Sequence, residues 1–219
     1  MSLNLEQARV NMVEQQVRTW EVLDPHVLDA LREVPREDFA PADYRRMAFS
    51  DLRIPLGHDQ VMMKPIEEGR MLQTLEIQPG HRVLEIGTGS GFVSACLAYL
   101  GASVLTIDII EEFTERAKRR YERLSIEGIE ARHADALGDF DPGEAFDAVA
   151  VTGSAAEVPE RFLKWIKPGG RLFAVRGFSP VMEAVTLTRT ESDHWQVESL
   201  FDTDLPRLIG AEDRPQFEF

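Results

Sequence analysis

Residues 82–178 switch repeatedly between two patterns, and that alternation restricts the fold more than any other feature. RVLEI (82–86), SVLTID (103–108), IEARH (129–133), FDAVAVTG (146–153) and GGRLFAV (169–175) read as short strands. GFVSACLAYL (91–100), EEFTERAKRRYERL (111–124) and EVPERFLKWI (157–166) read as helices between them. Strands joined through helices form βαβ units, so the expected fold is α/β. Its core is a doubly wound, mostly parallel, Rossmann-like sheet covered on both faces. After this region VMEAVTLTRT and HWQVESLF flank ESD (191–193), which predicts a C-terminal β-hairpin.

The start of the chain has a different period. Leu5, Ala8, Met12, Val13 and Val17 fall on one helical face. A second helix is expected in DPHVLDALREV, with Asp24 as N-cap and Pro25 in the first turn, ended by PREDFAP. FSDLRIPLGHDQVMMKP (49–65) fits neither the strand period nor the helix period and reads as irregular. Pro65 then opens a third helix, IEEGRMLQTLEI, that stops near Pro79 and Gly80. No internal repeat or linker breaks the chain. It is expected to be one domain over 1–219, with a helical extension and loop in 1–80 and the ligand-binding α/β core in 81–219. The extension is expected to pack on the ligand end of the sheet.

Composition narrows the function. Lys and Arg total 24 against 38 Asp and Glu, a formal charge of -14. That balance argues against nucleic acid as a partner, because such binding requires a cationic surface. No run of about 18 apolar residues suits a membrane span, and the first ten residues lack a secretory pattern. The single cysteine, Cys96, has no disulfide partner in the chain, and the five histidines are scattered. These features predict a cytoplasmic location, no membrane association and no metal site.

VLEIGTGSGF (83–92) carries the most specific signal. Gly87, Gly89 and Gly91 lie between a strand and a helix, where glycine allows a tight turn and close ligand approach. A dinucleotide fingerprint requires a small residue at the sixth position from Gly87, and Phe92 stands there. Glu85, just before the turn, would repel a pyrophosphate and suit a cationic ligand such as an amino-acid ammonium or a sulfonium. The next strand ends at Asp108, able to accept from two ribose hydroxyls. The third leads into HADALG, where Asp135 can meet an adenine amine.

Acids at three successive strand ends around E-x-G-x-G-x-G resemble the class I S-adenosylmethionine-dependent methyltransferases. VLDALREVPREDFAP, AFSDLRIPLG, Pro65, VLEIGTGSGF and FDAVAVTGSAAEVPERFLKWIKPGGRLF narrow the resemblance to the protein-L-isoaspartate O-methyltransferase family, over roughly residues 10 to 210, with DTDLPRL (202–208) as a fainter match. The resemblance implies S-adenosyl-L-methionine as cofactor, held by Met62, Met63, Glu85, Gly87, Thr88, Gly89, Gly91, Asp108, Ile109, Asp135, Ala136 and Thr152. It implies methylation of the free carboxylate of isoaspartyl residues in a peptide or protein, a protein-repair reaction.

One loop departs from the family. Its usual reading is close to Q-T-I-S-x-P, and here it is QVMMKP: Gln60 and Pro65 match, while Val61 and Met63 replace the two hydroxyl residues. A thioether is only a weak acceptor and cannot donate. Met63, Lys64 and Thr152 are therefore the acceptor-side candidates, with Ser154 as a further hydroxyl and His58 relevant to an acceptor that must lose a proton. Two other readings stay open: an unknown small-molecule acceptor on the same scaffold, or a noncatalytic S-adenosylmethionine-binding module.

Overall fold

The computed structural model describes residues 4–191 and 194–211. Helix α1 (Leu5–Met12) runs into a π-helical turn (Val13–Val17) and a 3-10 turn (Arg18–Trp20), in place of one regular helix. Met12, Val13 and Val17 are buried and Leu5 and Ala8 half-buried, so the apolar face is as read while the helix winding changes beneath it. Helix α2 (Pro25–Glu33) starts as expected: the Asp24 carboxylate accepts from the His26 amide at 2.8 Å. PREDFAP does more than end it. Pro35 leads into a short α3 (Arg36–Phe39), followed by a 3-10 segment (Ala42–Met47).

The stretch read as irregular contains a hairpin of β1 (Ile54–Gly57) and β2 (Gln60–Met62), paired Ile54 to Met62 and Pro55 to Val61. His58 and Asp59 both have positive φ, 53° and 56°, which suits the right-handed twist of a two-residue hairpin turn. β1 alternates buried and exposed over only four residues and β2 has three, too few to stand out as a period in the sequence. Helix α4 (Pro65–Thr74) opens at Pro65 and ends before Pro79.

The main sheet has seven strands: β3 (Arg82–Ile86), β4 (Ser103–Asp108), β5 (Ile129–His133), β6 (Phe146–Ala155), β7 (Ile166–Phe178), β8 (Val181–Glu191) and β9 (His194–Thr203). Their order is β5-β4-β3-β6-β7-β8-β9. The first five of these are parallel, and β8 and β9 are added antiparallel. The expected hairpin is therefore present, although residues 192–193 of its turn lie outside the described residues. The connections are α5 (Phe92–Tyr99), α6 (Glu111–Leu124) and α7 (Glu160–Lys164).

Alternation along β3 divides two cores. Val83 belongs to a cluster with Met12, Leu31, Met71, Leu97 and Phe113, drawn from the N-terminal helices, α4, α5 and α6. Leu84 and Ile86 face the other way, toward Phe162 and Trp165. The N-terminal helices thus join the core on the α5 side of the sheet, with α2 against α4 and α5, and the β1–β2 hairpin reaches the ligand end. The expectation that the extension packs on that end is met by the hairpin and corrected for α2, whose apolar face is taken up by α4 and α5. No helix among the described residues is long and apolar enough to cross a membrane.

Candidate cofactor and acceptor site

The carboxyl ends of β3, β4, β5 and β6 and the β1–β2 hairpin enclose a cavity of about 820 Å³, including space open to solvent. This is the crevice where open α/β sheets bind ligands. Met62, Met63, Glu85, Gly87, Thr88, Gly89, Asp108, Ile109, Asp135, Ala136 and Thr152 line it.

The glycine turn is shaped from within. Gly87 has φ 101°, and a Cβ there would clash with the Thr152 hydroxyl. Gly89 has φ 49° and faces Leu56 of the hairpin. Gly91 is a different case: its Cβ position points at Tyr121 and Ala117, so it serves the packing of α5 on α6 and does not line the cavity. The amides of Gly87 and Thr88 both donate to the Ile107 carbonyl (2.8 and 3.2 Å), and Gly91 donates to Thr88 (2.7 Å). The Gly89 amide donates to Asp108 at 2.9 Å. A phosphate cradle presents free amides, and these are committed to the protein.

The acids have distinct surroundings. Glu85 is 1% exposed and lies on the α5 side of β3. Its Oε2 accepts from the Ser94 hydroxyl of α5 and, at 2.6 Å, from Thr106, its register partner on β4. Thr88 in turn meets Thr106 at 2.8 Å. Burial pushes the Glu85 carboxyl up to about 8 against these hydroxyl donors. Asp108 ends β4 and accepts from the Gly89 and Ile110 amides, both at 2.9 Å. Burial raises its pKa, and the amides offset part of that rise. Asp135 accepts from the Leu137 amide at 2.8 Å, and its side chain lies beside Gly138.

The acceptor-side candidates separate. Met63 is buried in the cavity wall, and its carbonyl is held by Arg36 at 2.7 Å. The Thr152 hydroxyl lines the cavity but donates to the Ile86 and Gly87 carbonyls, leaving only acceptor capacity. Lys64 is not in the wall. It precedes α4, with its ammonium 3.7 Å from Asp51 and its amide bonded to Glu67. Ser154 is fully buried and donates to the carbonyls of Leu205 and Pro206, which removes it from the crevice. His58 lies outside, pairing with Glu112 at 2.9 Å.

Several wall residues escaped the reading of the sequence: Leu56, Gln60, Glu68, Leu208 and Ile209. Gln60 was visible as a match to the family loop, and nothing in EEG distinguished Glu68 from a surface acid of a first helical turn. Arg36 was also missed. It is fully buried, donates to Ala48 (2.7 Å), Glu68 and Met63, and lies 4.8 Å over the Phe92 ring.

Among the described residues the cavity wall contains four acidic side chains, Glu68, Glu85, Asp108 and Asp135, and no Lys, Arg or His. Such a site rejects a pyrophosphate and favours a ligand with positive charge at one end and hydroxyls at the other.

A model of the protein-L-isoaspartate(D-aspartate) O-methyltransferase family matches residues 7–198. Protein-L-isoaspartate O-methyltransferase 1 of Rhodopseudomonas palustris (strain HaA2) is 36% identical over 205 residues, covering 93% of this chain and 84% of its own length. The Gloeobacter violaceus protein-L-isoaspartate O-methyltransferase is 37% identical, covering 82% of this chain and 88% of its own. A Plasmodium falciparum chain assigned to the same enzyme, solved in complex with S-adenosyl-L-homocysteine, shares the fold with a TM-score of 0.80 at 18% identity, over 91% of this chain and 97% of that one.

Proposed function

The chain belongs to the protein-L-isoaspartate(D-aspartate) O-methyltransferase family, and we propose that its acceptor is the free carboxylate of an isoaspartyl residue in a peptide or protein. It is an S-adenosylmethionine-dependent methyltransferase. The observation that carries the cofactor's fit is the acidic cavity wall, without a Lys, Arg or His among the described residues, around a turn whose Gly87, Thr88 and Gly89 amides are used internally. Asp108 and Asp135 would hold the nucleoside, and Glu85 and the glycine turn the amino-acid end. When bound, S-adenosylmethionine supplies a methyl group activated by a sulfonium.

The chain's own residues have a limited task. An α-carboxylate has an ordinary pKa of about 3.5, so it is an anion at neutral pH and needs no general base. The wall must orient its oxygen and exclude water. Leu56, Val61, Met62, Met63, Leu208 and Ile209 supply the dry surface. Gln60, in the same wall, carries two amide donors and takes over the orienting role of the family's hydroxyls. Lys64 and Ser154 are withdrawn from that role by their positions, and Thr152 by its committed proton.

The test compares an isoaspartyl peptide with the same peptide containing ordinary aspartate, using labelled methyl and scoring base-labile ester. Label on the isoaspartyl form alone is expected. Gln60→Glu, which sets a carboxylate against the substrate's, should lower turnover about tenfold or more, corresponding to one lost donor of about 1–3 kcal/mol. Label on neither peptide, with S-adenosylhomocysteine still bound, would refute the acceptor assignment. The replacement of both loop hydroxyls by Val61 and Met63 favours a second reading in that event, an apolar small-molecule acceptor.

A further inference from the structure

The buried charges beside the cavity do not balance. Arg36, Glu68 and Glu85 are each at most 1% exposed. Glu68, on α4, takes the Arg36 guanidinium on Oε2 and lines the cavity from one side. Glu85, on β3, lines the same cavity, takes its hydrogen bonds from Ser94 and Thr106, and has no ion-pair partner among the described residues. Arg36 cannot serve both carboxylates. Its other donors are fixed on Ala48 and Met63 and its plane lies over Phe92. One of the two carboxylates is therefore left without a cation, and with both ionised the set is one positive charge short of neutral. Buried charges require partners, so a proton or a ligand cation must supply it. Glu67, next in sequence, is already matched: it accepts from Arg53 (2.6 Å), Thr203 (2.7 Å) and the Lys64 amide (3.0 Å).

We propose that Glu68, held by Arg36, is a cofactor-binding residue that receives, together with Glu85, the ammonium of the amino-acid end of S-adenosylmethionine. The inference rests on the reading of this cavity as the cofactor site. It assigns to α4 a contact that the glycine turn does not provide, and it gives Arg36 a positioning role, fixing one oxygen of Glu68 so that the side chain stays at the wall. Burial raises both carboxyls to about 8, against the lowering effect of Arg36 on Glu68 and of the Ser94 and Thr106 hydroxyls on Glu85. Asp108 and Asp135 are placed for the other end of the ligand, since they belong to β4 and the segment after β5.

Three ligands separate the possibilities. S-adenosylmethionine carries ammonium and sulfonium, S-adenosylhomocysteine carries ammonium only, and 5′-methylthioadenosine carries neither. Calorimetry on the full chain with Glu68→Gln should show S-adenosylhomocysteine binding weakened about tenfold or more, the loss of one charge-assisted hydrogen bond. Binding of 5′-methylthioadenosine should be essentially unchanged. An equal loss for both ligands would mean that Glu68 only shapes the cavity, and no loss for either would mean that it does not meet the ligand; either outcome overturns the proposal. If the wild type binds none of the three, the cofactor reading itself fails. Should Glu68→Gln not fold, wild-type titrations in buffers of different ionisation enthalpy decide the matter. Proton release near neutral pH is expected with S-adenosylhomocysteine and not with 5′-methylthioadenosine, and identical proton release for the two would overturn the proposal.

Discussion

At the scale of single residues, two positions make the sharpest demands. Asp108 has both carboxylate oxygens engaged by backbone amides, Gly89 on one and Ile110 on the other. Asn there keeps one acceptor and turns an NH2 group toward an N–H, so one amide loses its partner and the glycine turn loosens. Asp108→Asn should therefore weaken S-adenosylhomocysteine binding about tenfold or more, through both a lost charge and a displaced turn; an unchanged dissociation constant by calorimetry would contradict this. Met63 is the second position. Its backbone is pinned by Arg36 and its thioether fills the cavity wall where the family carries a hydroxyl. Met63→Ser adds a donor and opens space, so isoaspartyl methylation should rise, mainly in kcat. The cost is a small cavity and lower stability, about 2 kcal/mol or more for a buried methionine. A variant that is less stable and no faster would show that Met63 only packs the hairpin.

Among elements, the legibility of the fold followed the length and burial of each piece. Strands β3, β4, β6 and β7 were readable because a parallel sheet covered on both faces forces apolar runs, and α2 because Asp24 and Pro25 announce its first turn; the edge strand β5, with Ala131 alone buried, was placed by its position in the alternation. The β1–β2 hairpin was not. Its turn residues, His58 and Asp59, adopt positive φ without being glycine, and three residues of β2 cannot display alternation. The site divided in the same way. Glu85, Asp108 and Asp135 stood at strand ends and could be placed by topology, whereas Glu68 and Arg36 acquire meaning only when α3 and α4 are packed together. That packing depends on Arg36, whose three donors join Ala48 just after the 3-10 segment, α4 and the loop after β2. Arg36→Met should cost about 3–5 kcal/mol, because Glu68 is left buried without its partner. Chemical denaturation measures the loss. Arg36→Met combined with Glu68→Met should recover much of it, since replacing both partners by apolar groups removes the stranded charge. A single variant as stable as wild type would show that the pair carries little of the hairpin's anchoring.

For the whole molecule, the buried carboxyls set how stability and cofactor binding respond to pH. Glu68 and Glu85 have pKa values raised from 4.5 to about 8, first by burial. Between those values the folded chain holds more protons than the unfolded one, so the contribution of these groups to stability falls as pH rises. It is fully present below the unfolded value and gone above about pH 8. Surface acids such as Glu14 (lowered by Arg18 and Arg32), Glu112 (by His58 and Arg116) and Glu183 (by Ser199 and Arg176) act in the opposite direction only at acid pH, and weakly because solvent screens them. The net charge of -14 adds repulsion that also grows with pH, so the melting temperature of the free protein alone cannot isolate the pair. The difference made by ligand can. An ammonium at Glu68 and Glu85 holds them charged, so the bound form carries fewer protons and binding tightens as pH rises toward about 8. The gain in melting temperature from saturating S-adenosylhomocysteine should therefore increase from about pH 6 to about pH 8. The gain from 5′-methylthioadenosine should stay level, and Glu68→Gln should flatten the first curve. If the first gain is the same at every pH while the ligand binds normally, the two carboxyls do not exchange their protons for the cofactor's charge.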